Sequence, residues 1–434
     1  MRKEPAILVF DIGKTNRKCL VFDRSYNVLS SETFDITDAK DEQGQPVLDI
    51  DSLTAAMHGI LERHLEDPAI DLRACNITTY GATIVNTDAE GRPVHLPWDY
   101  LRESDESILS RFDERYADKG EVYAKTASPR LGNLNTGMQL YQLKHSQPAV
   151  FERIRHSTWL PQWLSSCFTG QLFTESTSIG CHTLCWDFRS RGFPEWTREE
   201  GISQLFPAMR AGDNPLKVTI EGRTLVAGIG LHDSSSALIP YLLSIPEPFM
   251  LLSTGSWSIC LNPFNDEPLS RDELDQDCLC YLTYDGRPVK ASRLNAGFRH
   301  EAAVKELSAR HGQAEAFFHQ IGWDPGLAAA IRTGHPVDGL SSPEAEYYDF
   351  MHGLLQEQVR KIRLVASEAP RHLYVDGGFS RNSVFMGMLR QEFPEWTVRA
   401  AEVGQSTALG AAIVLHGHWN GGPLPEDIIQ LSDS

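Results

Sequence analysis

The chain has 434 residues, 41% of them hydrophobic and 23% charged, with a formal net charge of −18. That length supplies two domains, each with its own core, and the composition is that of a globular protein. The negative excess argues against a nucleic-acid or anionic-membrane surface, and no apolar run approaches the roughly 20 residues that cross a bilayer.

The N-terminus runs straight into a strand, so no signal peptide is expected and the expected compartment is cytoplasmic. Residues 6–23, AILVFDIGKTNRKCLVFD, are two apolar runs joined by a short polar turn, the pattern of a β-hairpin. Gly13 lets the chain bend sharply, so the N–H groups of Lys14, Thr15 and Asn16 can converge on an anion. Asp11 at the strand end suits a hydrated divalent cation, although a carboxylate that merely caps the turn leaves the same pattern. A third strand is expected at 26–34, and a helix at 51–66 with Asp51 as its N-cap. A strand at 72–80 then ends in Tyr80–Gly81–Ala82–Thr83. Three strands, a helix and a strand suggest a mixed sheet. No GxGxxG follows the first strand, which argues against a dinucleotide-binding unit.

The polar stretch 102–120 fits no element. Helices are expected at 134–155 and 157–168, the second capped by Ser157 or Thr158 and ended by Gly170. Eight scattered cysteines fit reduced thiols rather than a disulfide framework. Cys181, His182 and Cys185 would form a zinc site only by meeting Cys278 and Cys280. A strand at 224–229 leads to Gly230–Leu231–His232–Asp233 and a helix at 234–243. A carboxylate at a strand C-terminus faces a ligand cleft, so Asp233 is the candidate general base; it is equally a good helix N-cap. Pro240–Pro248 holds three prolines in nine residues and is the expected hinge between domains 1–243 and 244–434.

The second half repeats the plan. Residues 249–264, FMLLSTGSWSICLNPF, are again two apolar runs around a small polar turn, Ser253–Thr254–Gly255–Ser256. A strand near 278–284, helices near 294–311 and 343–368, and a strand at 372–375 follow. Helices at 380–392 and 403–416 flank a strand at 397–399. Asp376–Gly377–Gly378 sits where strand gives way to helix, and its two glycines let backbone approach a flat ligand. Two phosphate-cradling turns in one chain suggest two related halves facing one nucleotide.

DIGKTN at 11–16, GLHDSSSA at 230–237, STGSWSI at 253–259, DGGFSRN at 376–382 and GQSTALGAA at 404–412 together resemble the FGGY carbohydrate kinases, in that family's order and near its spacing. The resemblance implies an α/β, two-domain actin-like ATPase fold with mixed central sheets, flanking helices and an interdomain ATP cleft. It implies ATP and Mg²⁺ as cofactors, with Asp11 on the metal. Gly13, Lys14, Thr15, Asn16, Ser253, Thr254, Gly255 and Ser256 would hold phosphates, and Gly377, Gly378, Asn382 and Gln405 would lie about adenosine. Asp233 would be the catalytic base, with Gly81, Ala82, Thr83 and His232 around the sugar. His232–Asp233 and Ser253–Trp257 look most like rhamnulokinases, which phosphorylate a 6-deoxy-ketose at its primary hydroxyl. The family usually has a small residue at Lys14, and the rhamnulokinase-like members an acid at Thr83, where a threonine makes a weaker, uncharged contact. The expected partners are a small sugar and at most a second copy of the chain, with no nucleic acid and no membrane. The rival readings are a nucleotide-switch ATPase of the same fold and a non-catalytic sugar-binding relative. Trp98, Trp159, Trp163 and Trp257 are candidates to stack on a sugar.

Overall fold

The computed structural model describes all residues except 1, 2, 38, 118–120, 334–341, 369 and 434. The first strand, Glu4–Ile12, is buried without a break from Ala6 to Phe10, as befits a strand covered on both faces. It pairs antiparallel with Arg17–Phe22, Asp11 opposite Lys18, and that strand pairs antiparallel with Val28–Thr33. On its other side it runs parallel to Ile70–Thr79. Arg223–Ala227 and Leu231–His232 both add in parallel to Ile70–Thr79, and Leu216–Ile220 closes that edge.

The second sheet is laid out in the same way. Phe249–Thr254 pairs antiparallel with Ser258–Asn262 and parallel with His372–Gly377. Pro288–Leu294 and Cys278–Leu282 extend the antiparallel side, while Thr397–Glu402 adds in parallel and Gln430–Ser432 closes that edge antiparallel. The repeat read from the two hairpins is therefore a repeat of topology.

Two helices join the halves. Asp233–Ser244 packs Tyr241 against Phe249 of the second sheet, while Ser406–Ile413 packs onto the first sheet through Ala408, Ala411 and Ala412. They cross so closely that a Cβ on Gly410 would lie 1.9 Å from the Ser236 carbonyl oxygen. Buried Asn76 adds a polar clamp. Its Nδ2 donates to the Ala411 carbonyl at 2.7 Å, and its Oδ1 accepts from the N–H groups of Ile77 and Gly230. The boundary expected at 243/244 falls in the last turn of the first of these helices, so each half in sequence lends a helix to the other half in space.

Local boundaries differ where capping decided them. The helix Ile50–Glu66 is capped by Asp49, whose carboxylate accepts from the Ser52 N–H, and not by Asp51. The helix expected over 134–155 breaks at Gln147–Pro148 into Thr136–Ser146 and Pro148–Phe151, because proline cannot donate to the helical ladder. Ser157 and Thr158 belong to the strand His156–Trp159, not to a cap; the helix is Leu160–Thr169, and Gly170 ends it in the left-handed conformation. Asn382, not Ser380, caps Ser383–Glu392. Within 102–117 a helix spans Glu106–Phe112, and 118–120 lie outside the described residues. Among the described residues no helix is long and apolar enough to cross a membrane.

Gly410→Ala is expected to lower unfolding free energy by about 1–3 kcal/mol or more through overpacking. Gly353→Ala, in the helix Pro343–Val365 with nothing near its added methyl, is expected to raise it by about 0.5–1 kcal/mol. Urea unfolding of both variants checks the pair.

Candidate active site

Asp11 and Asp233 approach from different elements of the first half. Asp11 is the next-to-last residue of the first strand, and Asp233 is the first residue of the helix that follows Leu231–His232. Each lifts its carboxyl to about 6, mainly through burial, and the Asp233 charge raises Asp11 further. Asp233 is not the N-cap: His232 holds that position, and Asp233 Oδ1 accepts from the next N–H, Ser234, at 2.6 Å. Its carboxylate keeps a third of its surface open. Two partly desolvated acids that feel one another's charge, with Lys18 opposing only the smaller part of the shift at Asp11, offer oxygen donors of the kind that suit a hard divalent cation such as Mg²⁺.

Behind Asp233 lies a compact polar cluster. His232 Nε2 is 3.2 Å from Asp233 Oδ1 and 3.1 Å from Cys181 Sγ, and that sulfur is 3.1 Å from His182 Nδ1. Burial pushes His232 down to about 4 and His182 to about 3, so both are neutral imidazoles at pH 7. With its proton on Nε2, His232 donates to Asp233. Gly81 allows this packing, since a Cβ there would sit 3.1 Å from the His232 ring. Ala82 adopts φ 64°, and its carbonyl accepts from Gln139 Nε2. Thr83 is buried, with its hydroxyl 3.4 Å from the Tyr80 hydroxyl.

The first turn is closed by the Gly13 N–H on the Asn16 carbonyl, and a Cβ on Gly13 would meet that oxygen at 2.7 Å. Thr15 and Asn16 are exposed on it. Lys14 does not stay on the turn: its ammonium pairs with the largely buried Asp99 beside the Tyr100 ring. The acid expected at Thr83 is thus absent, but Asp99 brings one near Tyr80, whose hydroxyl is pushed up to about 12 by burial and, in smaller part, by that charge. Sequence reasoning passed over Asp99 because no motif surrounds it and its partner is far away in the chain. It also passed over Arg17, a buried guanidinium that makes no ion pair among the described residues and whose Nε has no partner.

The second turn is built differently. Thr254 does not face the cleft. Its hydroxyl donates to the Asp376 carbonyl at 2.5 Å and accepts from the Phe379 N–H at 3.0 Å, locking the Asp376–Gly377–Gly378 bend. Gly377 at φ 88° is required there, since a Cβ would strike the Thr254 carbonyl at 1.9 Å. Ser253 lines a smaller cavity with Asp233, Asp376 and Ser406. Gly255, Ser256, Gly378 and Asn382 line a larger one of about 520 Å³, walled by the N-terminal turns of the helix Ala296–His311. Gln405 is not among the residues lining that cavity; at φ 52° it precedes Ser406–Ile413, and its Oε1 lies 3.5 Å from Lys18 Nζ on the first hairpin. All eight cysteines are free, and Cys185 does not join Cys278 and Cys280 in any metal-ligating group among the described residues. Trp98, Trp159 and Trp163 are core residues; Trp257 is 44% exposed, with the Arg293 guanidinium over its ring.

Residues 6–216 match the family model described as the N-terminal domain of the FGGY family of carbohydrate kinases. A rhamnulokinase of Enterobacter sp. (strain 638) is 25% identical over 225 residues, half of this chain and 44% of that protein. One from Bacteroides thetaiotaomicron is 25% identical over 43% of this chain and 40% of its own length. The matched stretch thus spans less than half the length of these relatives. A carbohydrate kinase from Novosphingobium aromaticivorans superposes with TM-score 0.81 at 20% identity, covering 98% of this chain and 96% of that one. A ligand-bound xylulose kinase from Lactobacillus acidophilus gives 0.76 at 14%, covering 99% and 93%. The fold is the two-domain actin-like ATPase architecture that the motifs implied.

A carboxyl raised from 3.8 to about 6 on folding destabilises the fold above pH 6, and the penalty disappears below 3.8, where both states are protonated. Asp233→Asn is therefore expected to raise Tm at pH 7–8, by an amount that shrinks between pH 6 and 4. Thermal melts across that range check the sign.

Proposed function

We propose that the chain, whose residues 6–216 match the N-terminal domain model of the FGGY family of carbohydrate kinases, is a kinase of that family and transfers the γ-phosphoryl group of ATP to a primary hydroxyl of a small ketose. The rhamnulose, fuculose and ketopentose class is the proposed substrate range. The observation that supports the reading is that burial and mutual charge raise Asp11 and that burial raises Asp233, each to about 6.

In this reading the sugar lies against Gly81, Ala82, Thr83 and His232, with its reacting hydroxyl toward Asp233. His232 orients that carboxylate, and the free Asp233 oxygen aligns the hydroxyl and takes its proton as the phosphoryl group moves across. The N–H groups of the Gly13–Asn16 and Ser253–Ser256 turns hold phosphates, with Arg17 adding charge from below. Asp11 would hold Mg²⁺, which when bound neutralises charge on the phosphates. Gly377, Gly378 and Asn382 bound the adenosine side. Lys14 contributes through Asp99, fixing the loop over the sugar side rather than contacting phosphate. Closure of the two halves excludes water, which otherwise competes for the phosphoryl group.

ADP release from Mg-ATP, measured against a panel of ketopentoses, 6-deoxy-ketohexoses, polyols and glycerol, tests this directly. Stimulation by one ketose is expected, with kcat/KM falling below about pH 6 as Asp233 protonates. Asp233→Asn is expected to lower that rate by about 10²–10⁴-fold, the usual worth of a general base. ADP release indifferent to every sugar and to the substitution would leave a nucleotide switch instead.

A further inference from the structure

The wall of the larger cavity carries a group of side chains that phosphoryl transfer does not use. His300 and Glu301 lie on the helix Ala296–His311, and His319 ends the short helix Glu315–His319. One ligand atom from each lies within 4.8 Å of the other two. His300 Nδ1 is 3.6 Å from Glu301 Oε1, and the two imidazole centroids are 5.5 Å apart. All three line the same cavity as Gly255, Gly378 and Asn382.

From this geometry we propose that His300, Glu301 and His319 form a binding site for a borderline transition-metal ion of the Zn²⁺, Co²⁺ or Ni²⁺ type, opening into the large cavity of the second half. Two imidazole nitrogens and one carboxylate leave coordination positions for water or a ligand, a donor set that these ions favour over Mg²⁺. Nitrogen ligands about 2.0–2.1 Å from a tetrahedral ion lie roughly 3.3 Å from each other, so the three groups need close by at most about 1.5 Å. Glu301 and His319 are exposed and free to make that movement.

The surroundings of His300 fit the role. Its Nε2 is 3.0 Å from the Tyr347 hydroxyl, which also accepts from Asn382 Nδ2 at 2.8 Å. A hydrogen bond on the far nitrogen fixes the ring and leaves Nδ1 as the ligating atom. The Phe379 ring packs edge-on at 5.3 Å and holds the imidazole from the side. Because Asn382 also caps the helix Ser383–Glu392, an ion on His300 would be linked by one tyrosine to the rim proposed for adenosine. The metal site itself does not depend on the kinase reading.

Co²⁺ titration of the full chain, followed by its visible d–d bands and by equilibrium dialysis, separates this site from the other candidate cluster, Cys19–Glu32–His64. Expected are one equivalent of Co²⁺ at micromolar concentration and no sulfur-to-cobalt charge-transfer band. His319→Ala should abolish binding, and Glu301→Gln should weaken it by about 10–100-fold or more. Both side chains are exposed, so circular dichroism should show both variants folded. Binding unchanged in both variants, a sulfur-to-cobalt band that persists in them, or no uptake at micromolar Co²⁺ would each overturn the proposal.

Discussion

The helix crossing at Gly410 and Ser236 is the contact on which the rest of the molecule depends. Asp233–Ser244 grows out of the first sheet and packs on the second, while Ser406–Ile413 does the reverse. Only a glycine permits the approach, and Asn76 ties the Ala411 carbonyl to the Gly228–Gly230 bend that launches Asp233. The starts of the two helices, at Asp233 and Ser406, line one cavity together with Ser253 of the second turn.

Electrostatics then decides what the cleft accepts. A chain with net charge −18 repels a polyanion at long range, so binding one requires local compensation. The first half holds Arg17 buried without an ion pair among the described residues. Lys14 is diverted to Asp99, so of the two neighbouring lysines only Lys18 opposes the raised carboxyl of Asp11. Neutral His232 sits behind Asp233 and adds no charge of its own.

The two hairpins, the mixed sheets and the positions of Asp11 and Asp233 could be read from residue pattern, because alternation, glycine placement and strand ends are local properties. Caps were less readable. Asp49 and Asp51 are equally good capping residues by type, and it is Asp49 whose carboxylate accepts from the Ser52 N–H. Thr254 looked like a phosphate ligand because its neighbours are small and polar, yet a bend more than a hundred residues on claims its hydroxyl. Gln405 follows a glycine in a motif, but its left-handed backbone turns it toward Lys18. Asp99 and Glu301 lie in stretches without motif character, and only the fold brings them to the cleft. Side chains whose role is set by a distant partner leave no periodic trace in sequence.

The most direct measurement is a calorimetric titration of the intact chain with a non-hydrolysable Mg-ATP analogue, repeated on Gly13→Val and Gly255→Val. If the two halves clasp one nucleotide, a single site per chain should appear, weakened about tenfold or more by either substitution, since each removes one phosphate cradle. Two independent sites, or a single site that responds to only one of the two substitutions, would contradict a shared cleft.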